Sequence, residues 1–165
     1  MERAADFQPE AVIRLLGQHQ VRYVLIGGLA AVTHGAPIVT QDIDLCYARD
    51  SLNLERLAAA LAEVHATLRG ADPGLPFRLD AFTLAKGDAF AFTTDLGWID
   101  IMANPAGTDG YEDLARTADS FSLFRHKVLV AAVDDLIRMK RAAARPKDLM
   151  MLEDLGALRK EIDRR

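Results

Sequence analysis

Two aspartates, Asp42 and Asp44, stand two positions apart in the run TQDIDLCY, and a third, Asp100, interrupts the apolar run GWIDIM. In an extended strand, side chains at i and i+2 share a face, so Asp42 and Asp44 project side by side. Two negative charges that close raise each other's pKa. A divalent cation such as Mg²⁺, which takes oxygen ligands and bridges to phosphate oxygens, relieves that repulsion. Taken alone, an Asp-x-Asp pair is short and common, and two acids facing water at a strand end account for it better. Asp100 alone divides evenly between a metal ligand and a strand-end acid in water, since ionised carboxylates are rarely buried unpaired. Gly27 and Gly28 shift the balance. They end the run VRYVLI and open a short helix about 15 residues before Asp42. The backbone N–H groups of such a turn, together with the helix N-terminus, form an anion site that the missing side chains let a phosphate approach. Phosphate and metal sites then meet at one edge of a sheet.

The surrounding pattern supplies the elements that must position these residues. A helix is expected from about Pro9 to Gln20, then a buried strand over VRYVLIGG and a short helix from Leu29 to His34, closed by Gly35 and Pro37. Gln41 to Tyr47 reads as a strand with Ile43, Leu45 and Tyr47 on one face and the two acids on the other. A helix from about Asn53 to Leu68 takes Ser51 as its cap. After a Gly/Pro-rich loop, strand-like runs occur at Arg78 to Leu84, Ala89 to Thr93 and Gly97 to Met102, followed by a loop from Asn104 to Gly110. Phe121 to Phe124 and Lys127 to Val130 suggest a hairpin turning at Arg125 and His126. Two helices follow, Val133 to Ala143 and Lys147 to about Ile162, with Pro146 opening the second. This order suits an α+β fold, a mixed sheet with helices on one side and a helical C-terminus, and not an alternating doubly wound one.

At 165 residues the chain fits a single domain, 1–165, with a core over about 21–131 and a helical segment over about 132–162. No run of 18 apolar residues exists, so no membrane span is expected, and the N-terminal MERAADFQPE lacks the apolar stretch of a secretion signal. A lone cysteine, Cys46, fits a reducing cytoplasm. The net charge of −4 speaks against a chain wrapped in nucleic acid but leaves room for a local basic patch. Such a patch exists: Arg138, Lys140, Arg141, Arg145 and Lys147 put five positive charges within ten residues. By pattern alone this is slightly better read as a solvated helix face, with Asp148 favouring the next helix's dipole. His34 suits a structural hydrogen bond at its helix end, Cys46 a small apolar filler, and Trp98 core packing. His19, His65 and His126 sit in no motif.

Taken together and in order, IGGLAAVTHG, PIVTQDIDL and FTTDLGWIDIM resemble the nucleotidyltransferase superfamily that includes DNA polymerase β. Within it, the chain is most similar to small bacterial proteins related to the AbiEii-type toxins of toxin–antitoxin systems. The likeness runs from about Val21 to Leu158 and takes in DLIRMKRAAARPKDLMML, which resembles that family's closing Lys-and-Arg-Pro-Lys-Asp stretch. The resemblance implies transfer of a nucleoside monophosphate from an NTP to an acceptor hydroxyl with two Mg²⁺ or Mn²⁺ ions. It assigns Asp42 and Asp44 to metal and triphosphate, and Asp100 to the second metal and to activation of the attacking hydroxyl. Gly27 and Gly28 would cradle the β- and γ-phosphates. Thr40 would add a hydroxyl, although a β-former entering a strand explains it equally well. Lys140, and after it Lys147, would contact substrate. The implied acceptor is the 3′ end of tRNA, with growth inhibition as the outcome and an antitoxin as cognate partner. The alternatives are AMP transfer to a protein hydroxyl, and a nucleotide- or partner-binding module without catalysis. That last alternative is motivated by Ile38, which stands after the HG-x-P turn where family members often carry an arginine. Leu29, not serine, follows the glycine pair, as suits the AbiEii-like branch. No motif sets which NTP is used or whether the chain forms dimers.

Overall fold

The computed structural model describes residues 5–165, so the first four positions of the 1–165 assignment lie outside the described residues. The described residues form seven strands, β1 (Tyr23–Ile26), β2 (Asp42–Tyr47), β3 (Thr67–Leu68), β4 (Ala89–Thr94), β5 (Gly97–Met102), β6 (Asp119–Leu123) and β7 (His126–Val130), and seven helices. The helices are α1 (Pro9–Gln18), α2 (Gly27–His34), α3 (Ser51–Glu63), α4 (Ala81–Lys86), α5 (Tyr111–Thr117), α6 (Val133–Ala143) and α7 (Pro146–Asp163). The strands form one sheet in the order β3-β4-β5-β2-β1-β7-β6. It is mixed: β2 runs parallel to β5 and β1 parallel to β7, while the other neighbours are antiparallel. The α+β class with a helical C-terminus, expected from the sequence, is the one observed.

Apolar burial fixes the register at the centre. Ile43, Leu45, Ile99 and Ile101 are fully buried, and Ile43 pairs with Ile99 and Leu45 with Ile101. A slip of one residue in either strand would turn its two isoleucine or leucine side chains to the opposite face and bring its acids inward, so the register is strongly specified. From α1, Val12, Ile13, Leu15 and Leu16 join this core, and Leu54, Leu57 and Leu61 join it from α3. Asn53, 1 % exposed, accepts from the backbone N–H of Arg22 at 2.7 Å and donates to the carbonyls of Arg22 and Ala48, tying α3 to the entry of β1.

Five local features differ from expectation. The cap of α3 is Asp50, whose carboxylate accepts from the Asn53 backbone N–H at 3.1 Å; Ser51 is already helical. That helix ends at Glu63 and not near Leu68, because His65 takes a left-handed φ of 53° and Thr67 and Leu68 pair with β4. The spacing of Leu61, Val64 and Leu68 prolonged the helical pattern across that turn. The run from Arg78 to Leu84 is no strand: Asp80 caps α4 by accepting from the Thr83 N–H at 2.8 Å. A seven-residue helix, α5, follows the Asn104–Gly110 loop and buries only Leu114, too short and too polar to show a periodicity. The hairpin turns at Phe124 and Arg125, one residue earlier than expected, with φ of 49° and 69°. Both are left-handed conformations without the Asn or Gly that usually marks them.

Candidate active site

Asp42 and Asp44 lie on β2, and β5 is its parallel neighbour with Asp44 paired to Asp100. The three carboxylates therefore converge from two strands, and one oxygen from each lies within 4.8 Å of the others. Burial, followed by repulsion from Asp42 and Asp100, pushes the Asp44 carboxyl up to about 7, against a smaller opposing pull from Lys140. The Asp42 carboxyl is also raised, first by burial and then by Asp100, against a smaller lowering by Thr40 and Arg69. Three hard oxygen donors whose mutual repulsion is incompletely offset are a donor set suited to Mg²⁺ or Mn²⁺. The residues present fit such an ion.

The glycines are required by contact. Gly27 has φ +70°, and a Cβ there would lie 2.3 Å from Asp44 Oδ2. At Gly28 a Cβ would come 2.9 Å from Thr40 Oγ1. The turn from β1 into α2 is thus packed directly beneath the acids, with its helix N-terminus at the same sheet edge. Thr40 is engaged as well: its hydroxyl lies 3.2 Å from both Asp42 Oδ1 and the Asp42 carbonyl oxygen.

Opposite the acids stands a basic wall built from the α6–α7 junction. Asp148 is fully buried and accepts from Lys140 Nζ at 3.1 Å and from Arg145 Nε at 2.7 Å. Chiefly the Arg145 hydrogen bond, with Lys140 adding to it, holds the Asp148 carboxyl well below the usual carboxylate range. Asp148 also closes a reciprocal cap with Arg145 at the start of α7. Gly27, Gly28, Thr40, Asp42, Asp44, Asp100, Lys140 and Lys147, the eight residues singled out in the sequence, all line one cavity of about 540 Å³. Ile38, Met139 and Met151 give it an apolar side.

No protein-family model and no curated protein matches the chain. Solved structures do. The lincosamide antibiotic adenylyltransferase LnuA, with lincomycin bound, superposes with a TM-score of 0.60 at 12 % identity, over 94 % of this chain and 99 % of that one. A Thermotoga maritima protein assigned to the nucleotidyltransferases superposes with a TM-score of 0.50 at 17 % identity, over 98 % of each chain. This chain has the nucleotidyltransferase fold.

Within the nucleotidyltransferase fold, one side chain of the site, Arg69, has no counterpart in the sequence reading, and another, Arg145, appears there only as part of the basic patch. Arg69 donates through Nη2 to Asp100 Oδ1 at 2.6 Å and to the Phe92 carbonyl at 2.8 Å. Its guanidinium lies over the Trp98 ring, 4.3 Å from the centroid. Trp98 is 36 % exposed and carries Arg69, so its expected place in the core is corrected. The only signal for Arg69 was that it follows Leu68, and the helix expected there hid the strand. Arg145 lines the cavity with Lys140 and supplies a guanidinium that position 38 lacks. His34 is structural: its Nε2 donates to the Ala131 carbonyl at 2.8 Å. Cys46 is buried as expected.

Proposed function

We propose that this chain is a metal-dependent nucleotidyltransferase that moves a nucleoside monophosphate from an NTP to an acceptor hydroxyl. The observation that carries this reading is the cavity in which three converging carboxylates face a wall of Lys140, Arg145 and Lys147. A triphosphate needs both: cations along its length, and oxygen ligands for the ions it brings. Asp42, Asp44 and Asp100 would hold the two ions. Two Mg²⁺ or Mn²⁺ ions bound there supply charge stabilisation to the entering and leaving oxygens of an in-line displacement.

The protein's own part is positioning. Gly27 and Gly28 leave room for the β- and γ-phosphates at the start of α2, and Lys140 and Lys147 offset their charge. The acceptor oxygen forms its bond to the α-phosphorus as the bond to pyrophosphate breaks, and the hydroxyl proton passes to Asp100. Pyrophosphate leaves along the basic wall. Thr40, already hydrogen-bonded to Asp42, orients that carboxylate. Arg145 lines the same cavity and offers phosphates a guanidinium in a chain whose position 38 lacks one.

For the acceptor, the likeness of the sequence motifs to AbiEii-type toxins supports the tRNA 3′ end, in a cytoplasmic toxin-like role with a cognate antitoxin. A specific observation favours a second reading. The cavity's apolar side of Ile38, Met139 and Met151 would seat an apolar small molecule bearing a hydroxyl, and LnuA is an antibiotic adenylyltransferase. The test is incubation with Mg²⁺ and each α-labelled NTP in the presence of total tRNA, a small-molecule extract or cellular protein. Label in tRNA that is absent from the Asp42→Asn/Asp44→Asn double variant supports the first acceptor. Label confined to the small-molecule or protein fraction moves the acceptor there. No label above the double variant in any fraction defeats the transferase reading.

A further inference from the structure

Arg69 occupies a position that the proposed chemistry does not explain. Its guanidinium forms a 2.6 Å ion pair with Asp100, the two side chains being 25 % and 19 % exposed. Asp100 is the carboxylate supplied from β5, opposite Asp44 across the β2–β5 ladder. One face of the guanidinium rests on Trp98 at 4.3 Å, and Nη2 also donates to the Phe92 carbonyl on β4. The Arg69 Nε is buried and has no hydrogen-bond partner in this arrangement. A buried N–H left unpaired is destabilising, so this seat is not the best a guanidinium can take. Held on an aromatic face by charge attraction, it can leave Asp100 without losing its apolar support.

We infer that Arg69 is a positioning residue that serves as the resident counter-ion of Asp100 and yields that carboxylate when the second divalent ion arrives with the nucleotide. The inference rests on the two-ion reading above. Arg69 and the second ion share one carboxylate oxygen set, so they compete. Before nucleotide binds, the guanidinium offsets the repulsion within the triad, and the chain holds fewer than two ions at low free metal. The triphosphate's negative charge tips the competition, because it draws in a cation and gives the released guanidinium a new acceptor. Occupancy of both ion sites then coincides with the presence of substrate.

The chain contains one tryptophan, Trp98, and Arg69 lies on it, so tryptophan fluorescence reports the guanidinium's position. The experiment uses the full chain as wild type, Arg69→Gln, Arg69→Lys and Asp100→Asn. Mn²⁺ binding is followed by electron paramagnetic resonance, with and without a non-hydrolysable NTP analogue. Fluorescence is titrated with diamagnetic Mg²⁺ and the same analogue. Circular dichroism melts establish that each variant is folded. The expected result is that Arg69→Gln binds its second Mn²⁺ several-fold more tightly than wild type in the absence of nucleotide, and that this advantage shrinks when the analogue is present. Wild type should show a saturable fluorescence change with Mg²⁺ plus analogue that Arg69→Gln lacks although it still binds the ions. Arg69→Lys, which keeps the charge, should resemble wild type in Mn²⁺ affinity. A merely structural Arg69 gives the opposite sign: loosening Asp100 weakens Mn²⁺ in Arg69→Gln, and that result, or an unchanged affinity, overturns the inference while leaving the transferase reading intact. No Mn²⁺ binding by wild type, even with the analogue, overturns the two-ion reading and this inference with it.

Discussion

Asp44 is the residue where the proposed function costs stability, and that cost can be measured. In the metal-free protein its carboxyl sits at about 7 against an ordinary 3.8, because burial and then the charges of Asp42 and Asp100 disfavour ionisation. The folded state therefore binds this proton more tightly than the unfolded chain. The resulting stability is fully present below about pH 4 and is lost as pH rises through about 7. A rise of about three units at ~1.4 kcal/mol per unit sets an upper bound of about 4 kcal/mol. Relaxation and water entry reduce it, so about 2 kcal/mol is the working expectation. Asp44→Asn removes the ionisation while keeping the shape. Metal-free Asp44→Asn should thus melt higher than wild type at pH 8 by roughly 4–8 °C for a chain of this size. The difference should shrink as pH falls below about 7 and approach zero only near pH 4. Added Mg²⁺ should narrow the gap at pH 8 by raising wild type alone. The assay is a thermal melt by circular dichroism across pH 5–8 in chelator-treated buffer. An Asn variant no more stable than wild type at pH 8, or one whose gain does not vary with pH, would show that the carboxylates are not crowded as described.

Three further outcomes follow from the same geometry. Mn²⁺ affinity of the wild type, measured by electron paramagnetic resonance, should weaken as pH falls through about 7, since Asp44 must shed its proton to ligate; a flat profile between pH 6 and 8 would contradict this. Gly27→Ala places a Cβ 2.3 Å from Asp44 Oδ2 at a φ of +70°, so it should cost roughly 1–3 kcal/mol in a thermal melt and lower Mn²⁺ affinity, whereas an alanine as stable as wild type speaks against the contact. Asp148→Asn leaves Lys140 and Arg145 without their shared anion. A loss of about 1–3 kcal/mol is expected by urea denaturation, since the buried carboxylate loses its charge-assisted hydrogen bonds while Arg145 stays half-exposed. A loss under 1 kcal/mol would mean that Asp148 does not bind the α6–α7 junction together.

The acids and glycines were legible because each depends on local pattern. The alternation of Asp42, Ile43, Asp44 and Leu45 states which face is buried, and the glycine pair ends an apolar run where a helix begins. Gly97 to Met102 was read with its observed bounds for the same reason: its alternation is clean, with Ile99 and Ile101 fully buried around Asp100. Arg69 was hidden because its role depends on a two-residue strand that exists only through pairing with β4. Asp148 was read as a partner for a helix dipole, yet its burial and its two cationic partners are set by how α7 folds back on α6. Trp98 shows the same limit: an aromatic residue in an apolar strand reads as core, and only the position of Arg69 explains why it stays half-exposed. Pattern along one strand is short-range information, while these roles come from contacts across the α6–α7 turn or between strands distant in sequence.

The pairing of Asp44 with Asp100 across β2 and β5 has a consequence for how the protein is made. These residues are 56 positions apart, and a parallel pairing of that span closes only after the intervening chain has been ordered. During synthesis, Asp42 and Asp44 leave the ribosome well before Asp100, and the β1–β2 pair that carries them closes a shorter stretch of chain than β2–β5 does. A nascent or truncated chain ending before β5 therefore presents the glycine turn and two acids but not the third ligand. The three-carboxylate cluster comes into being only when β5 has paired with β2, so ion binding at full stoichiometry doubles as a report that this long-range pairing has formed.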